Sequence, residues 1–365
     1  MVAVLAEQDG RGRRSVRAVV RRAVVRLPPS PQSCCRMAVT SAKECAVAQI
    51  VNDTPVVPGR RPERRRGSGR TAVPSSPRRG DGKLAWLLIT PAVAGFLVFF
   101  AYPTLRGVYY SFTSFHILTP PRWVGLANWQ KVLGDSVFWH SLLVTVYFVG
   151  LAVVIGVLLS LVTAVILHRL TRSTVIRGVI ILPFLISGVV AALVWQWMLD
   201  PQLGIISQLL EKVTGSHPLF FSDSHWAVPS LAAVSVWKSM GYNAVLIFAG
   251  LQTIPPSVYE AGRLDGASEV QMFRRLTVPL LRPILVMVVI LTVVGSFQVF
   301  DIVQITTKGG PANASNVLQM YIYEKGFGEL DFGYASTMSL ALFVLLIAVT
   351  FTQMRLARAN ETDLS

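Results

Sequence analysis

The chain has 365 residues, of which 52% are hydrophobic and 15% charged, and it carries a formal net charge of +15. A chain of this length and apolarity is untypical of a soluble domain and indicates a polytopic membrane protein. The positive charge does not indicate a nucleic-acid-binding protein, because twelve of the fifteen net charges lie in residues 1–83.

Residues 1–83 form a basic N-terminal segment with 18 basic and six acidic residues. The segment is rich in Arg, Pro, Ser and Gly and has no helical or strand period, so we expect a disordered cytoplasmic tail. We predict no signal peptide in this segment, because no apolar stretch of suitable length follows its Arg clusters, and Met37 is an alternative start. The tail either binds anionic headgroups or remains a solvated arm. All three cysteines lie here without metal-ligand spacing, so we predict no metal site: Cys34, Cys35 and Cys45.

Six apolar runs follow the tail. Each has about 20 residues or more, enough for a helix to cross the roughly 30 Å hydrocarbon core. Pro183 and Gly188 in the third run indicate either a kink or close helix packing. The runs lie at about 84–109, 139–167, 178–199, 226–250, 284–306 and 334–354.

Basic residues in the connections set the orientation. Outside the tail, nine lie in segments on the side of the N-terminus and five lie in the opposite loops. The excess predicts that both termini are cytoplasmic and that the connection between the fourth and fifth runs faces the cytoplasm.

That connection, residues 255–283, is a polar segment between two apolar runs. Acidic Glu260 opens it, Gly266 permits a turn, and prolines close it, which is the pattern of a short helix–turn–helix at the membrane face. Ser257 with Glu260 three residues later predicts a capping box on the first helix. Apolar residues at three- and four-residue steps predict a docking stripe: Leu264, Ala267, Val270, Phe273 and Leu276.

This segment resembles the EAA loop of bacterial ABC importer permeases, in which Glu-Ala-Ala, three residues, Gly and nine residues precede Ile-x-Leu-Pro. Four anchors fall at the family's spacing: Glu260, Ala261, Gly266 and Pro279. Three positions depart from the motif: Gly262 replaces its second Ala, Leu276 its Ile and Val278 its Leu.

The resemblance implies that this loop docks in a groove of a separate ATPase, where Glu260 pairs with a basic residue. The implied coupling residues are Glu260, Ala261, Gly262, Asp265, Gly266, Ala267, Phe273 and Pro279. A lipid-lying amphipathic connector is the structural alternative. The implied partners are a second homologous permease subunit, an ATP-binding cassette ATPase dimer and an extracytoplasmic solute-binding protein. The chain has no phosphate-binding loop of its own, so we expect no enzyme activity, catalytic residue or cofactor.

Polar residues inside the fourth and fifth runs predict a solute path, because buried charges in spans are costly and usually functional or paired. Lys238 and Asp301 differ in depth by roughly 10 Å at helical rise, so we expect both to face an aqueous path rather than each other. Trp237 and Tyr242 offer planes for a sugar. The candidates are Ser235, Lys238, Ser239, Tyr242, Thr292, Ser296, Gln298 and Asp301.

The resemblance covers about residues 84–356 and is strongest to permeases of the maltose and glycerol-3-phosphate type. It implies sugar contacts from Ser235 to Tyr242 in the fourth span. In the fifth span it implies contacts at Thr292, Gly295, Ser296 and Val299. Where the maltose permease has Asn, this chain has Ser296 and Val299, and Lys238 replaces an apolar residue, so a maltose assignment is not justified.

These features predict an all-α protein of the bacterial cell membrane with six transmembrane helices, a cytoplasmic EAA helix–turn–helix and a C-terminal tail at 357–365. The predicted function is the permease subunit of an ATP-driven sugar or oligosaccharide importer. A non-sugar solute such as glycerol-3-phosphate stays open. An ion-coupled secondary carrier predicts paired carboxylates or discontinuous helices, and Asp301 is the one acid within a run. A membrane-embedded enzyme needs clustered histidines or acids, which the sequence lacks.

Overall fold

A computed structural model describes residues 81–170, 173–215 and 218–359. The chain divides into two units, Met1–Pro77 and Arg78–Ser365, and the described residues belong to the second. Residues 1–80 of the predicted tail, with its cysteines and Met37, lie outside the described residues, whereas residues 81–83 belong to the first helix.

The first span is a continuous helical rod. It comprises α1 (Asp81–Phe96), a π-helical turn π1 (Leu97–Ala101) and α2 (Tyr102–Ser111). No residue of its membrane-spanning window is buried within the chain, which is expected of an apolar helix that faces lipid or another subunit.

An antiparallel hairpin follows, made of β1 (Thr113–His116) and β2 (Thr119–Trp123), with Thr113 opposite Trp123. The short helix α3 (Ala127–Gly134) then leads into α4 (Ser136–Leu170), the second span.

The third span is broken. The helices α5 (Thr174–Leu185) and α6 (Gly188–Met198) meet at an angle of 93°. Pro183 lies inside α5, and Ile186 and Ser187 between the helices are extended or nearly so. The kink predicted at Pro183 and Gly188 is therefore confirmed, and it is a complete break rather than a bend.

The fourth span lies at the centre of the bundle. After α7 (Ile205–Thr214), the helix α8 (Ala227–Leu251) packs against α4, α5 and α11, and more than half of its residues are buried. A Cβ at Gly241 would collide with the backbone carbonyl of Ile180 in α5, so this glycine permits the close crossing of α5 and α8.

A helical elbow joins α8 to the fifth span. It consists of α9 (Pro256–Leu264), α10 (Glu269–Met272) and the π-helical turn π2 (Phe273–Thr277), which continues into α11 (Val278–Phe297). The fifth helix thus begins before the predicted residue 284. It also ends before the predicted residue 306, because residues 298–300 are not helical and separate it from α12 (Asp301–Thr306).

The return to the sixth span runs through α13 (Leu318–Tyr323) and the π-helical turn π3 (Glu324–Gly328) into α14 (Phe332–Ala359). Helix extends three residues beyond each predicted boundary of the membrane domain, to Asp81 and to Ala359. Within the described residues, five helices and the broken pair are long and apolar enough to make six spans. The all-α membrane architecture is confirmed, with β1 and β2 as a small hairpin in one loop.

The buried core forms two clusters along the bundle axis. One surrounds Phe148, Leu231 and Tyr334, and the other surrounds Leu167 and Ile247. The second cluster lies beside the elbow, since it includes Leu251, Ile254 and Leu281.

Candidate functional site

A central cavity of about 330 Å³ lies where the two broken spans meet the fourth span. Its walls come from α5, α6, α8, α11 and α12 and from the break at 298–300. Irregular backbone at membrane depth is tolerated where it is buried or lines a cavity, and the break at 298–300 satisfies that condition, because all three of its residues line the cavity. All eight predicted path residues line this cavity: Ser235, Lys238, Ser239, Tyr242, Thr292, Ser296, Gln298 and Asp301.

One wall is a face of α8. Ser235, Lys238 and Tyr242 follow at three- and four-residue steps, so their side chains share that face. Lys238 lies near the middle of the helix and is partly buried. No ion pair joins it to Asp301 or to another carboxylate in the described part of the chain.

The opposite wall is the break that follows α11. Asp301 begins α12 and is exposed to the cavity. A Cβ at Gly188, the first residue of α6, would lie 2.7 Å from Asp301 Oδ2. The absence of a side chain at Gly188 therefore lets the carboxylate approach the start of α6, whose N-terminus carries partial positive charge.

Several polar groups of the cavity already have partners within the protein. Asn243 Nδ2 donates a hydrogen bond to Thr292 Oγ1, which donates to the carbonyl of Val288. Ser239 Oγ donates to the carbonyl of Ser235. Thr292 and Ser239 therefore use their hydroxyls to connect or stabilise helices. The other six candidates are the ones whose side chains can form hydrogen bonds with a solute.

An aromatic surface completes the lining. Tyr242 stacks on Phe184 with ring centroids 4.3 Å apart and planes 12° from parallel. The prediction that Trp237 offers a second plane is wrong, because Trp237 lies outside the lining and packs edge-on against Trp195. The sequence analysis missed Phe184 and did not assign Gly188 to the cavity, which both residues reach through contacts between helices.

The elbow is a helix–turn–helix, as predicted, but its capping differs from the prediction. Pro255 occupies the N-cap of α9, and no side chain caps that helix. The capping box predicted for Ser257 and Glu260 is wrong. The box lies instead at the second helix, where Ser268 and Gln271 exchange side-chain and backbone hydrogen bonds.

Two glycines shape the elbow. Gly266 has a φ of +76°, a left-handed conformation that favours glycine, and makes the turn after α9. Gly262 is buried, and a Cβ there would lie 2.9 Å from Leu276 Cδ1. This contact gives a reason why glycine replaces the second alanine of the motif.

The predicted coupling residues lie along the elbow and at the start of α11. Most face solvent, while Gly262 is buried and Ala267 and Phe273 are partly buried. The exposed ones are Glu260, Ala261, Asp265, Gly266 and Pro279. The predicted apolar stripe is divided, because the chain between α9 and α10 is not helical. Leu264 and Val270 are strongly exposed, whereas Leu276 packs inward.

Ion pairs connect the elbow to the second span. Glu269 lies 2.8 Å from Arg169 at the end of α4 and 3.8 Å from Arg263 of α9. All three side chains are at least half exposed. Beneath them lies an open elbow cavity of about 780 Å³, which Glu260 and Tyr259 also line.

The other end of the bundle contains a hydrogen-bonded cluster that the sequence reading missed. Asp135 Oδ2 accepts hydrogen bonds from the hydroxyls of Tyr321 at 2.7 Å and Tyr334 at 2.5 Å. Its Oδ1 accepts from the backbone amides of Val137 and Phe138 at the start of α4. Burial disfavours the charged carboxylate, but these hydrogen bonds outweigh it and hold the pKa of Asp135 below its ordinary value.

No group of three or more His, Cys, Asp or Glu side chains within residues 81–170, 173–215 and 218–359 is arranged to hold a metal ion.

Comparison with known proteins identifies the family. Residues 156–362 match the family described as "Binding-protein-dependent transport system inner membrane component". The chain is 31% identical to the sulfoquinovosyl glycerol transport system permease protein SmoG of Agrobacterium fabrum, over 77% of this chain and 92% of that one. It is also 31% identical to the trehalose/maltose transport system permease protein MalF of Thermococcus litoralis, over 76% and 95% of the two chains.

A solved structure shares the fold. It is a chain of a bacterial ABC transporter involved in the import of the acidic polysaccharide alginate, with a TM-score of 0.68 and 21% identity. The match covers 77% of this chain and 98% of that one.

Proposed function

The chain belongs to the family of binding-protein-dependent transport system inner membrane components, and on that premise we propose that it is the membrane-spanning subunit of an ATP-driven importer for a sugar or oligosaccharide. Two relatives are named for transport of sugar-containing solutes, sulfoquinovosyl glycerol and trehalose or maltose. They support this class of solute.

In this proposal the chain works with three partners. ATP hydrolysis takes place on a separate ATPase dimer, because the chain has no phosphate-binding loop. A second homologous permease completes the pathway, and an extracytoplasmic solute-binding protein delivers the solute. Both termini and the elbow are cytoplasmic, as the distribution of basic residues predicts.

One observation carries the proposal: the elbow is the direct connection between the two helices that form most of the central cavity. α8 ends at Leu251 and α11 begins at Val278, and the elbow lies between them. Lys238 and Tyr242 come from the first helix and Ser296 from the second. A force on the elbow therefore reaches two walls of the solute path without any intervening domain.

The exposed surface of the elbow suits a protein partner. Leu264 and Val270 are 88% and 67% exposed and flank the turn at Gly266. Exposed apolar side chains beside a polar rim are typical of protein interfaces. Glu260 is exposed on the same helix as Leu264, where it is available to pair with a basic residue of the ATPase.

Discontinuous helices also occur in ion-coupled carriers, and the third and fifth spans are discontinuous. Such carriers hold the coupling ion with backbone carbonyls, often together with carboxylates, and Asp301 is the single acid among the lining residues of the central cavity. The elbow has no role in such a carrier, whereas it is the point of force in an ATP-driven importer.

Glu260→Lys tests the coupling role. We expect the variant to insert normally, to lose the ATPase subunit during purification and to lower ATP-dependent uptake at least tenfold, because the proposed ion pair between Glu260 and a basic residue of the ATPase becomes a like-charge contact. Glu361→Lys, in the C-terminal tail outside the described residues, makes the same charge change and is expected to leave uptake unchanged. Normal uptake by Glu260→Lys would remove this residue from coupling.

Asp265→Cys tests the orientation in a chain whose three native cysteines are replaced by serine. A membrane-impermeant maleimide is expected to label this cysteine only after the cells are opened. Labelling in intact cells would put the elbow outside and overturn the proposed function.

A further inference from the structure

Two side chains of opposite charge line the central cavity, and their surroundings differ. Asp301 lies against Gly188, at the start of the eleven-residue helix α6. The partial positive charge of a helix N-terminus favours a carboxylate. The start of α6 therefore partly compensates the negative charge of Asp301.

Lys238 has no such compensation. It is partly buried, lies in the middle of α8, and forms no ion pair with any carboxylate of the described residues. Its neighbours on the lining face are Ser235, Ser239 and Tyr242, which are neutral groups. An ammonium inside a span is costly unless an anion or a polar path compensates it.

From this difference we propose that the solute carries an anionic group, namely a carboxylate, phosphate or sulfonate on a sugar or polyol, and that Lys238 pairs with it. The inference rests on the proposed function and names the class of solute. The three groups share oxygen anions that accept hydrogen bonds from an ammonium.

The rest of the lining suits the neutral part of such a solute. The stacked rings of Tyr242 and Phe184 offer an apolar plane for a sugar face. Gln298 and Asp301 are exposed on the opposite wall, where an amide and a carboxylate accept hydrogen bonds from hydroxyls. The cavity thus separates a cationic wall on α8 from a hydroxyl-accepting wall at the break after α11.

The first test measures transport with matched pairs of labelled probes. The complete importer is reconstituted in proteoliposomes and offered three pairs: methyl glucoside with methyl glucuronide, glycerol with glycerol 3-phosphate, and methyl glucoside with methyl 6-deoxy-6-sulfoglucoside. We expect ATP-dependent uptake of an acidic member. Lys238→Met is expected to lower that uptake at least tenfold, as loss of a charged hydrogen bond predicts, and Lys238→Arg to retain most of it.

The outcomes separate the two proposals. Uptake of a neutral member alone, unchanged in Lys238→Met, sustains the importer and overturns the anionic solute. Uptake that requires neither ATP nor Glu260 overturns the importer. Uptake of the glucuronide, of glycerol 3-phosphate or of the sulfonate identifies the anionic group as a carboxylate, a phosphate or a sulfonate.

A second test needs no solute. In a complex without the native cysteines, Ser235→Cys lies one turn from Lys238, and its rates of reaction with anionic and cationic methanethiosulfonate reagents are compared. We expect the anionic reagent to react faster, and Lys238→Met to lower the anionic-to-cationic ratio about tenfold. An unchanged ratio would mean that the Lys238 charge does not act in the cavity, and the inference would fail.

Discussion

The two ends of the bundle are held together by different interactions. At the end that carries the hairpin, Asp135 joins α4, α13 and α14 through hydrogen bonds to two buried tyrosines. At the elbow end, Glu269 joins α4, α9 and α10 through ion pairs whose side chains are half exposed. Buried hydrogen-bonded groups are costly to separate, whereas exposed ion pairs contribute little.

This difference bears on which end moves in the proposed importer, where one part of the permease follows the ATPase and another keeps the helices in register. We propose that the elbow has the first task, since local opening is easiest where contacts are exposed. We propose that the cluster around Asp135 has the second.

The largest effect is expected from Asp135→Ala. The substitution leaves the buried hydroxyls of Tyr321 and Tyr334 without their acceptor and removes the cap of α4, so we expect a loss of about 3 kcal/mol in the free energy of unfolding. Thermal unfolding of the purified complex measures it. Tyr321→Phe and Tyr334→Phe remove one hydroxyl each, and each is expected to cost about 1 kcal/mol. A loss in Asp135→Ala no greater than in either phenylalanine variant would contradict the central role of the carboxylate.

An intermediate effect is expected from acid. The pKa of Asp135 is lowered in the folded protein, so its contribution to stability is present above the ordinary pKa near 4 and is lost as the pH falls through the depressed value. Unfolding temperatures of the unsubstituted protein and of Asp135→Asn are compared from pH 7 to pH 3. We expect the difference between them to shrink as the pH falls below about 4. A constant difference would show that ionisation of Asp135 does not stabilise this end.

The smallest effect on stability is expected from Glu269→Gln. This change removes both ion pairs of the elbow but keeps the shape of the side chain, and the loss should stay below about 1 kcal/mol. Raising the salt concentration should reduce the loss further, because exposed charges are screened. A loss as large as that in Asp135→Ala would mean that the elbow is as firmly held as the other end.

The sequence by itself determined the membrane class, the six spans and the elbow. Runs of about 20 apolar residues cross a bilayer only as helices, and this follows from composition without knowledge of the fold. The eight path candidates were also chosen from local pattern, because charged side chains within a span are costly and usually face a polar space. The structure places all eight around one cavity, and their contact with a solute stays a prediction.

Only the tertiary structure decided how these parts meet. The capping box at Ser268, in place of the one predicted at Ser257, depends on where the backbone turns. Gly188 against Asp301 brings together residues more than a hundred positions apart. The cluster of Asp135, Tyr321 and Tyr334 likewise joins residues that are far apart in the sequence. Such contacts depend on the packing of whole helices against each other, and no local period in a sequence records the distance between two helices.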